Sequence, residues 1–349
     1  MQRLSKTAAT TALLLMAGAA SAQTTLFYSE GGPNRGVRAE ATKWLVDEVA
    51  RQSDGDLLID VNWGGALFSD KVAVQSIRDG VADMGTVIGA YFPQDMIAYG
   101  LADLPLPNSD PWVGMRAIDE IMRSDETIVQ NLAAQNLVYV GTFTTSPVQV
   151  GCKGKAIKSL DDLPGVKVRG VGAYGKMFHD LGATPVDMSV YEAYQGLETG
   201  VIDCTQTYTY LIESLKFNEV LDSFTEVDFG QIGSLGVLMN KQTYDSLSPG
   251  QQDALMAAGK GLADHYGRLV EAANERSLQI LVDQGTPIYK LSDEDKTRFA
   301  ATGAPYVNEW IARADAAGLN GQALVDRYIE LIGVYAKQRD EQGYPWNPR

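Results

Sequence analysis

The stretch Gly80-Val81-Ala82-Asp83-Met84-Gly85-Thr86-Val87-Ile88 contains the pattern that indicates the fold. A helical spacing of apolar residues over 71–79 ends at a glycine turn, and an apolar strand follows over 86–88. Upstream, residues 25–28 and 57–63 have the composition of strands, and residues 38–52 again show helical spacing. Strand and helix alternate, which favours an α/β domain with a mainly parallel sheet.

The same order restarts downstream. Residues 137–144, 148–150 and 166–168 are predicted strands, and the chain then alternates between a helix (173–181), a turn and strand (182–186) and another helix (191–199). The next four residues, Gly200-Val201-Ile202-Asp203, resemble Gly80-Val81-Ala82-Asp83, and 201–203 is predicted to be a strand. A shared motif in the same context favours two similar lobes.

A long helix is predicted over residues 248–285. Ser248 and Pro249 form a suitable cap and first turn, and no further proline interrupts the segment, although Gly259, Gly261 and Gly267 weaken it. This length exceeds that of typical globular helices, so we expect the helix to cross from one lobe to the other. A helix capped at Ser292 and a last helix over 322–338 follow.

Composition limits the classes of function. The chain has 349 residues, a formal net charge of −15 and 45% hydrophobic residues. This length predicts two domains. The acidity argues against binding to nucleic acid or to anionic membranes, because no basic cluster offsets it. Any attraction for an anionic ligand must come from one or two placed cations.

Residues 1–22 have the layout of a secretory signal peptide. Arg3 and Lys6 precede a small apolar run over 7–20, and Ala20-Ser21-Ala22 is a cleavage pattern before Gln23. The run is too short to span a bilayer, which takes about 20 apolar residues. We therefore expect the mature protein in the periplasm.

The chain has two cysteines, Cys152 and Cys204. In an oxidising compartment two such residues usually pair, so a disulfide is predicted, with two buried free thiols as the alternative.

Motifs of catalysis are missing from the sequence. It has two histidines, His179 and His265, both in predicted helices. We find no nucleophile elbow, phosphate-binding loop or zinc-protease motif, and no Cys/His cluster with metal spacing. The sequence therefore predicts a protein that is not an enzyme and that needs no cofactor or metal.

Arg169 is the strongest candidate for ligand binding. It ends the apolar strand 166–168 and is followed by Gly170-Val171-Gly172, where glycine lets a ligand approach the backbone. Its planar guanidinium matches a carboxylate with paired hydrogen bonds, which a lysine cannot do. The alternative is a surface arginine paired with Asp161 or Asp162.

Five segments resemble motifs of the DctP family, the solute-binding proteins of TRAP transporters. In chain order they are Trp63-Gly64-Gly65-Ala66-Leu67, Arg78-Asp79-Gly80-Val81-Ala82-Asp83-Met84-Gly85, Ser159-Leu160-Asp161-Asp162-Leu163-Pro164-Gly165-Val166-Lys167-Val168-Arg169, Leu181-Gly182-Ala183-Thr184-Pro185-Val186, and Glu192-Ala193-Tyr194-Gln195-Gly196-Leu197-Glu198-Thr199-Gly200-Val201-Ile202-Asp203. Their order and spacing agree with the family over essentially the whole mature chain.

The resemblance implies an α/β protein with the two-lobed periplasmic-binding-protein fold and a long lobe-spanning helix. We expect residues 23–146 with about 235–276 in lobe 1, and residues 147–234 with about 277–349 in lobe 2. The resemblance also implies that Arg169 grips a substrate carboxylate. It implies delivery of the ligand to a small and a large membrane permease subunit driven by an ion gradient.

Further ligand-binding residues follow from the resemblance. Sialic-acid members carry an arginine where this chain has Gln149 and an asparagine where it has Thr207, so sialic acid is not expected, although both side chains can donate neutral hydrogen bonds. The remaining candidates line the expected cleft: Tyr91, Phe68, Phe92, Tyr208, Glu30 and Ser69. Each of the aromatic residues has a core position as its alternative. Cys152 and Cys204 lie on strands beside Arg169, which supports their pairing.

The sequence leaves the ligand and some rival functions open. One strong cation indicates a small organic acid, either a C4-dicarboxylate or an aromatic or hydroxy monocarboxylate, with Arg35, Arg38 and Lys153 as candidates for a second acid group. The rivals are an enzyme on the same scaffold, such as a dehydratase with Glu30 as its acid or base, and an anion-sensing partner of a receptor. A binding protein of an ATP-driven importer fits the motifs less well. A monomer is the default expectation.

Overall fold

The computed structural model describes residues 23–349, so the signal peptide predicted for residues 1–22 lies outside the described residues. The strands are β1 (Thr24–Ser29), β2 (Leu57–Asn62), β3 (Met84–Ile88), β4 (Leu137–Phe143), β5 (Val148–Cys152), β6 (Lys167–Arg169), β7 (Thr184–Val186), β8 (Cys204–Tyr208), β9 (Ser223–Phe229), β10 (Leu235–Asn240), β11 (Ile288–Lys290), β12 (Gly343–Tyr344) and β13 (Asn347–Pro348). The helices are α1 (Gly36–Gln52), α2 (Ala73–Arg78), α3 (Pro111–Ser124), α4 (Glu126–Ala134), α5 (Gly172–Asp180), α6 (Ala193–Glu198), α7 (Leu211–Ser214), α8 (Lys241–Ser246), α9 (Pro249–Asp283), α10 (Asp293–Ala316) and α11 (Gly321–Gln342). Among these helices none is long and apolar enough to cross a membrane.

Two sheets organise the chain. The first has the strand order β2-β1-β3-β10-β4 and the second the order β11-β9-β5-β8-β6-β7. The prediction of mainly parallel sheets is confirmed, with one reversed strand in each: β10 runs antiparallel to β3 and β4, and β5 runs antiparallel to β8 and β9. The antiparallel strands β10 and β5 directly follow the points where the chain passes from one sheet to the other.

The repeated motif has the same role in both sheets. The carboxylate of Asp83 accepts a hydrogen bond from the backbone N–H of Phe27 on β1 at 2.7 Å. The carboxylate of Asp203 accepts one from the backbone N–H of Lys167 on β6 at 3.0 Å. Each aspartate thus fixes the start of a strand against its parallel neighbour, which explains the similarity of the two halves.

The strand predicted at 201–203 begins later, at Cys204. Residues 201–203 form the turn that lets Asp203 reach Lys167. The turn needs a left-handed residue at its start, and Gly80 and Gly200 supply it with φ of 73° and 72°.

The long helix α9 packs against elements of both sheets, with α1 and β4 on the first side and α7 on the second. Ser248 and Gln251 form the predicted cap at its start. Gly259 lies against β4 so closely that a Cβ atom would stand 2.0 Å from the carbonyl oxygen of Val140. This glycine is needed for contact between helix and strand backbones. The two-sheet α/β architecture with a long helix between its halves confirms the predicted fold class.

Helices α3 and α4 were not predicted, and the last helix α11 packs on α3 beside the first sheet. The predicted division into lobes instead assigns residues 277–349 to lobe 2. We therefore propose the division with this change, in which residues 321–349 accompany the first sheet and α10 lies between the two halves, contacting α5 on one side and Ile97 through Trp310 on the other.

Cys152 and Cys204 face each other across β5 and β8 and are joined by a disulfide. The predicted pairing is confirmed. The bond closes the chain around β6, the strand that carries Arg169.

Candidate ligand-binding site

Arg169 lies at the carboxyl end of β6, where Val168 pairs with Cys204 and Arg169 with Thr205 of β8. The end of β8 and the start of β5 meet at this same edge, because Val148 stands opposite Tyr208. In open α/β sheets, ligands bind at such carboxyl ends.

The guanidinium of Arg169 is buried, with 1% of the residue exposed. Its Nε donates to the carbonyl oxygen of Met188 at 3.1 Å, and Nη1 donates to that of Gln206 at 3.3 Å. The alternative of a surface pair with Asp161 or Asp162 does not occur. Asp161 pairs with Arg298, and Asp162 accepts from the backbone at the start of its own turn.

No carboxylate of residues 23–349 forms an ion pair with Arg169. Its protein partners are neutral oxygen atoms, so its positive charge is hydrogen-bonded but not compensated. Burying a charge without a counter-charge costs several kcal/mol of free energy. Adding an anion beside the charge can recover a free energy of similar size. A negative group placed against Arg169 would supply the counter-charge that residues 23–349 do not provide.

Tyr91 reaches this position from the first sheet. It ends a short 3-10 turn, Gly89–Tyr91, directly after β3. Its hydroxyl oxygen accepts from Nη2 of Arg169 at 2.9 Å and from the backbone N–H of Val190 at 3.0 Å. The tyrosine thus joins the two halves of the molecule at Arg169.

The end of β8 supplies the other groups nearby. The hydroxyl of Tyr208 accepts from Nε2 of Gln206 at 2.9 Å, and burial raises the pKa of Tyr208 far above its usual range while the charge of Arg169 opposes the shift. Thr207 is fully buried, and its hydroxyl has no hydrogen-bond partner within the described part of the chain. Tyr91 thus contacts the cation directly, and Thr207 and Tyr208 add neutral hydroxyl groups along the adjacent strand β8.

Gln149 makes its hydrogen bonds inside the second sheet. Its side-chain oxygen accepts from the backbone of Val227 and Asp228, and its Nε2 donates to the carboxylate of Asp228 at 2.7 Å. A role for Gln149 in ligand binding stays a prediction. Lys153 follows Cys152, which pairs with Cys204 at the start of β8, whereas Arg169 pairs with Thr205; a role for Lys153 as a second cation also stays a prediction.

Glu30 lies directly after β1 with 1% of the residue exposed. One carboxylate oxygen accepts from the backbone N–H of Gly32 at 2.7 Å, and the other accepts from the hydroxyl of Thr86 at 2.5 Å. Nε of Arg38, on the first turn of α1, lies 3.5 Å from the first of these oxygens. Glu30 is therefore a fixed group rather than a solvated one.

Arg38, Tyr191 and Tyr210 complete a second polar cluster around Glu30. The Arg38 guanidinium lies over the ring of Tyr191, 5.2 Å from its centroid. Tyr210 lines the same small cavity, and burial raises its pKa while the charge of Arg38 opposes the shift. The sequence names Arg38 only as a candidate second cation and misses both tyrosines, although Tyr208 and Tyr210 point to one face of the chain by their alternate spacing.

Two candidates lie elsewhere. Phe68 packs inside the apolar cluster of the first half, which is the alternative stated for it, and Ser69 is exposed. The next residue, Asp70, accepts from the hydroxyl of Ser189 of the second half at 2.7 Å, and Lys71 pairs with Asp187 at 2.7 Å. These contacts cross the cleft, so the two halves are closed on one another here.

A cavity of about 720 Å³ opens beside Tyr91 and is lined also by Gly170, Val171 and Gly172. The ring of Tyr91 stands between this cavity and the buried Arg169. A narrow cavity of about 20 Å³ lies at the Glu30 cluster. Both cavities lie where residues of the two halves meet.

The histidines do not contribute to the cleft network described above. His179 is largely exposed beside Asp180, and His265 stacks on Trp44 with ring centroids 4.5 Å apart. Within residues 23–349, no three His, Cys, Asp or Glu side chains are grouped so that they could hold a metal ion.

Two sheets closed over a buried, uncompensated arginine define a protein of the solute-binding class. The family model that matches is DctP, described as bacterial extracellular solute-binding protein, family 7, and it covers residues 28–313. The chain belongs to this family, the solute-binding proteins of TRAP transporters.

Relatives and solved structures agree with this assignment. A solute-binding protein of Sulfitobacter sp. (strain NAS-14.1) is 28% identical over 250 residues, which are 69% of this chain and 72% of that protein. The C4-dicarboxylate-binding periplasmic protein DctP of Rhodobacter capsulatus is 24% identical over 277 residues, 77% of this chain and 81% of that protein. A marine metagenome TRAP solute-binding protein specific for aromatic acid ligands, solved with metahydroxyphenylacetate, is 27% identical with a TM-score of 0.80, covering 89% of this chain and 99% of that one.

Proposed function

We propose that this protein captures a small organic acid as its anion, holds the carboxylate on Arg169, and delivers the acid to the membrane subunits of a TRAP transporter. The observation that carries the proposal is the buried guanidinium of Arg169, which has 1% exposure and no carboxylate partner within residues 23–349. A ligand carboxylate would supply the missing negative charge.

The geometry supports a binding cycle with hinge closure. In the open state water reaches Arg169, and the ligand carboxylate replaces it. Closure then brings Tyr91 against Arg169 and Asp70 against Ser189, which excludes water and strengthens the ion pair in a less polar surrounding. The free energy of the contacts made only after closure sets the balance between the two states.

The names of the relatives support an organic acid as the ligand, but they do not agree on one type of acid. The Rhodobacter protein is named for C4-dicarboxylates and the marine protein for aromatic acids. We propose that this protein binds within that range, and that it releases its ligand unchanged, since the cleft groups lack an assembled catalytic site.

A thermal-shift screen of residues 23–349 tests the proposal. The panel contains C4-dicarboxylates, aromatic and hydroxy monocarboxylates, uronates and neutral sugars. At a hundredfold excess over Kd, a true ligand adds about 2.7 kcal/mol to the free energy of unfolding. Stabilisation by acids supports the proposal, and recovery of the acid unchanged after incubation supports binding without catalysis. Stabilisation by neutral sugars alone would overturn the proposal.

A further inference from the structure

A second subsite lies beside the carboxylate position. Glu30, Arg38, Tyr191 and Tyr210 enclose the narrow cavity of about 20 Å³. A cavity needs a free volume of about 10–15 Å³ for the centre of one water molecule. This cavity therefore has room for one small polar group.

The walls of this cavity offer hydrogen-bond donors. Nε of Arg38 lies 3.5 Å from Oε1 of Glu30, and Nη2 of Arg38 lies beside Gly32 together with the hydroxyl of Tyr191. This hydroxyl is buried and has no partner within residues 23–349. An unmade hydrogen bond at a buried polar group is costly, so the hydroxyl of Tyr191 gains from an oxygen atom placed in the cavity.

The charge of the cluster decides which oxygen atom fits. Arg38 contributes one positive charge and Glu30 one negative charge, and their nearest atoms are 3.5 Å apart. The side chains are 15% and 1% exposed, so water screens them little. A second ligand carboxylate would add a negative charge with no cation left to balance it, whereas a neutral oxygen atom would not.

Two pairs of neighbouring residues link the subsite to the surroundings of Arg169. The hydroxyl of Tyr91 accepts from both Arg169 and the backbone N–H of Val190, the residue before Tyr191. On the other side, the rings of Tyr208 and Tyr210 stack with centroids 6.4 Å apart. The subsite and Arg169 therefore belong to the same junction of the two halves.

We propose that Glu30, Arg38 and Tyr191 form a distal subsite that recognises a neutral oxygen atom, so that the ligand is a hydroxy or keto monocarboxylate and not a dicarboxylate. This inference rests on the proposed function, because it assumes that Arg169 holds the carboxylate. It narrows the ligand class that the sequence leaves open.

Gly32 allows a test that removes no charge. A Cβ atom on this residue would lie 2.9 Å from Oε1 of Glu30, 2.9 Å from Oη of Tyr191 and 3.1 Å from Nη2 of Arg38. All three atoms belong to side chains and none to the backbone, so Gly32→Ala is expected to fold and to fill the subsite. Tyr191→Phe removes only the free hydroxyl.

The experiment compares matched acids by calorimetry: 3-hydroxybenzoate with benzoate, lactate with propionate, and succinate as the dicarboxylate. We expect the wild type to bind the oxygenated member of at least one pair about tenfold or more tightly, as for a hydrogen bond to a charged group. The ratio should fall toward one in Gly32→Ala and in Tyr191→Phe. Tyr194→Phe, whose hydroxyl bonds to Glu219 on the surface, is the matched control and should keep the wild-type ratio.

Three results would overturn the subsite: a ratio near one in both pairs, tighter binding of succinate than of either oxygenated acid, or an unchanged ratio in both cleft variants. If binding nevertheless depends on Arg169, the proposed function stands and the subsite alone fails. If no acid binds, or if Arg169→Met leaves binding unchanged, the proposed function fails with it.

Discussion

Replacing Arg169 with methionine tests the central interaction of the cleft. The variant keeps most of the side-chain volume but removes a cation that is 1% exposed and unpaired within residues 23–349. Loss of one partner from a buried charge pair costs about 2–5 kcal/mol. We therefore expect the Kd for the acid identified by the thermal-shift panel to rise by roughly 30-fold to several thousand-fold.

The variant should still fold. It leaves the carbonyl oxygen of Met188 without the donor Arg169, at about 1–3 kcal/mol, whereas that of Gln206 still accepts from the hydroxyl of Thr205 at 2.9 Å. It also removes an uncompensated buried charge, and the two effects oppose each other. Arg169→Lys keeps the charge and loses the planar fork, so its Kd should lie between those of the wild type and Arg169→Met.

Isothermal titration calorimetry measures the Kd, and melting curves without ligand confirm folding. Arg276→Met is the matched control, because Arg276 is exposed and paired with Glu213 at 3.1 Å. It should bind the acid as the wild type does. A Kd for Arg169→Met within about threefold of the wild type would refute the carboxylate clamp.

Three further predictions concern stability. The disulfide closes a loop with a sequence separation of 52, so the pair Cys152→Ser and Cys204→Ser should lower the free energy of unfolding by about 4 kcal/mol in urea titrations, and an unchanged midpoint would contradict this. Burial raises the pKa of Asp103 to about 6, so the folded chain binds its proton more tightly than the unfolded chain and stability increases as the pH falls through 6. Asp103→Asn should remove a gain of about 2 kcal/mol between pH 7 and pH 4.5, and equal pH profiles for variant and wild type would exclude this assignment. Gly259→Ala should lower the free energy of unfolding by about 1–3 kcal/mol or more, because the new methyl group clashes with β4. Gly333→Ala has open space around it and should raise the free energy of unfolding by about 0.5–1 kcal/mol. If both variants shift the melting temperature in the same direction, helix propensity and not the clash decides the outcome.

The local sequence pattern predicts those features of the fold that depend on residues close together in the chain. Arg169 was placed at a strand end from the apolar residues before it and the glycines after it, and the structure puts it at the end of β6. Ser248 was identified as the cap of the long helix from its type and position, and it is the N-cap of α9. The aspartates of the repeated motif are evident in the sequence, but spacing does not predict the hydrogen bonds that give the motif its role.

The rest depends on contacts between distant segments. Arg38 lies in the first half with Glu30, but Tyr191 and Tyr210 come from two separate segments of the second half and meet Glu30 only where the halves close. Gln149 has the right type for a ligand contact, but a bulge between β5 and β9 places Asp228 beside it.

Helix α3 shows a different kind of omission, since its signal was present in the sequence. Asp110 is an N-cap whose side chain accepts from the backbone N–H of Val113, and Pro111 occupies the first turn. Strand β10 is fully buried and apolar, and such a run does not reveal which distant strands it pairs with.

The position of β10 has a consequence for the order in which the protein can fold during synthesis. Within the five-stranded sheet, β4 has β10 as its only neighbour, yet β10 follows it by roughly 90 residues, which take about 5–20 s to translate. During that time the other strands of the first sheet, β1, β2 and β3, have already emerged from the ribosome. Strand β4 still has no neighbouring strand to pair with. A nascent chain therefore cannot complete its first sheet until β5 to β9 of the second sheet have been synthesised as well.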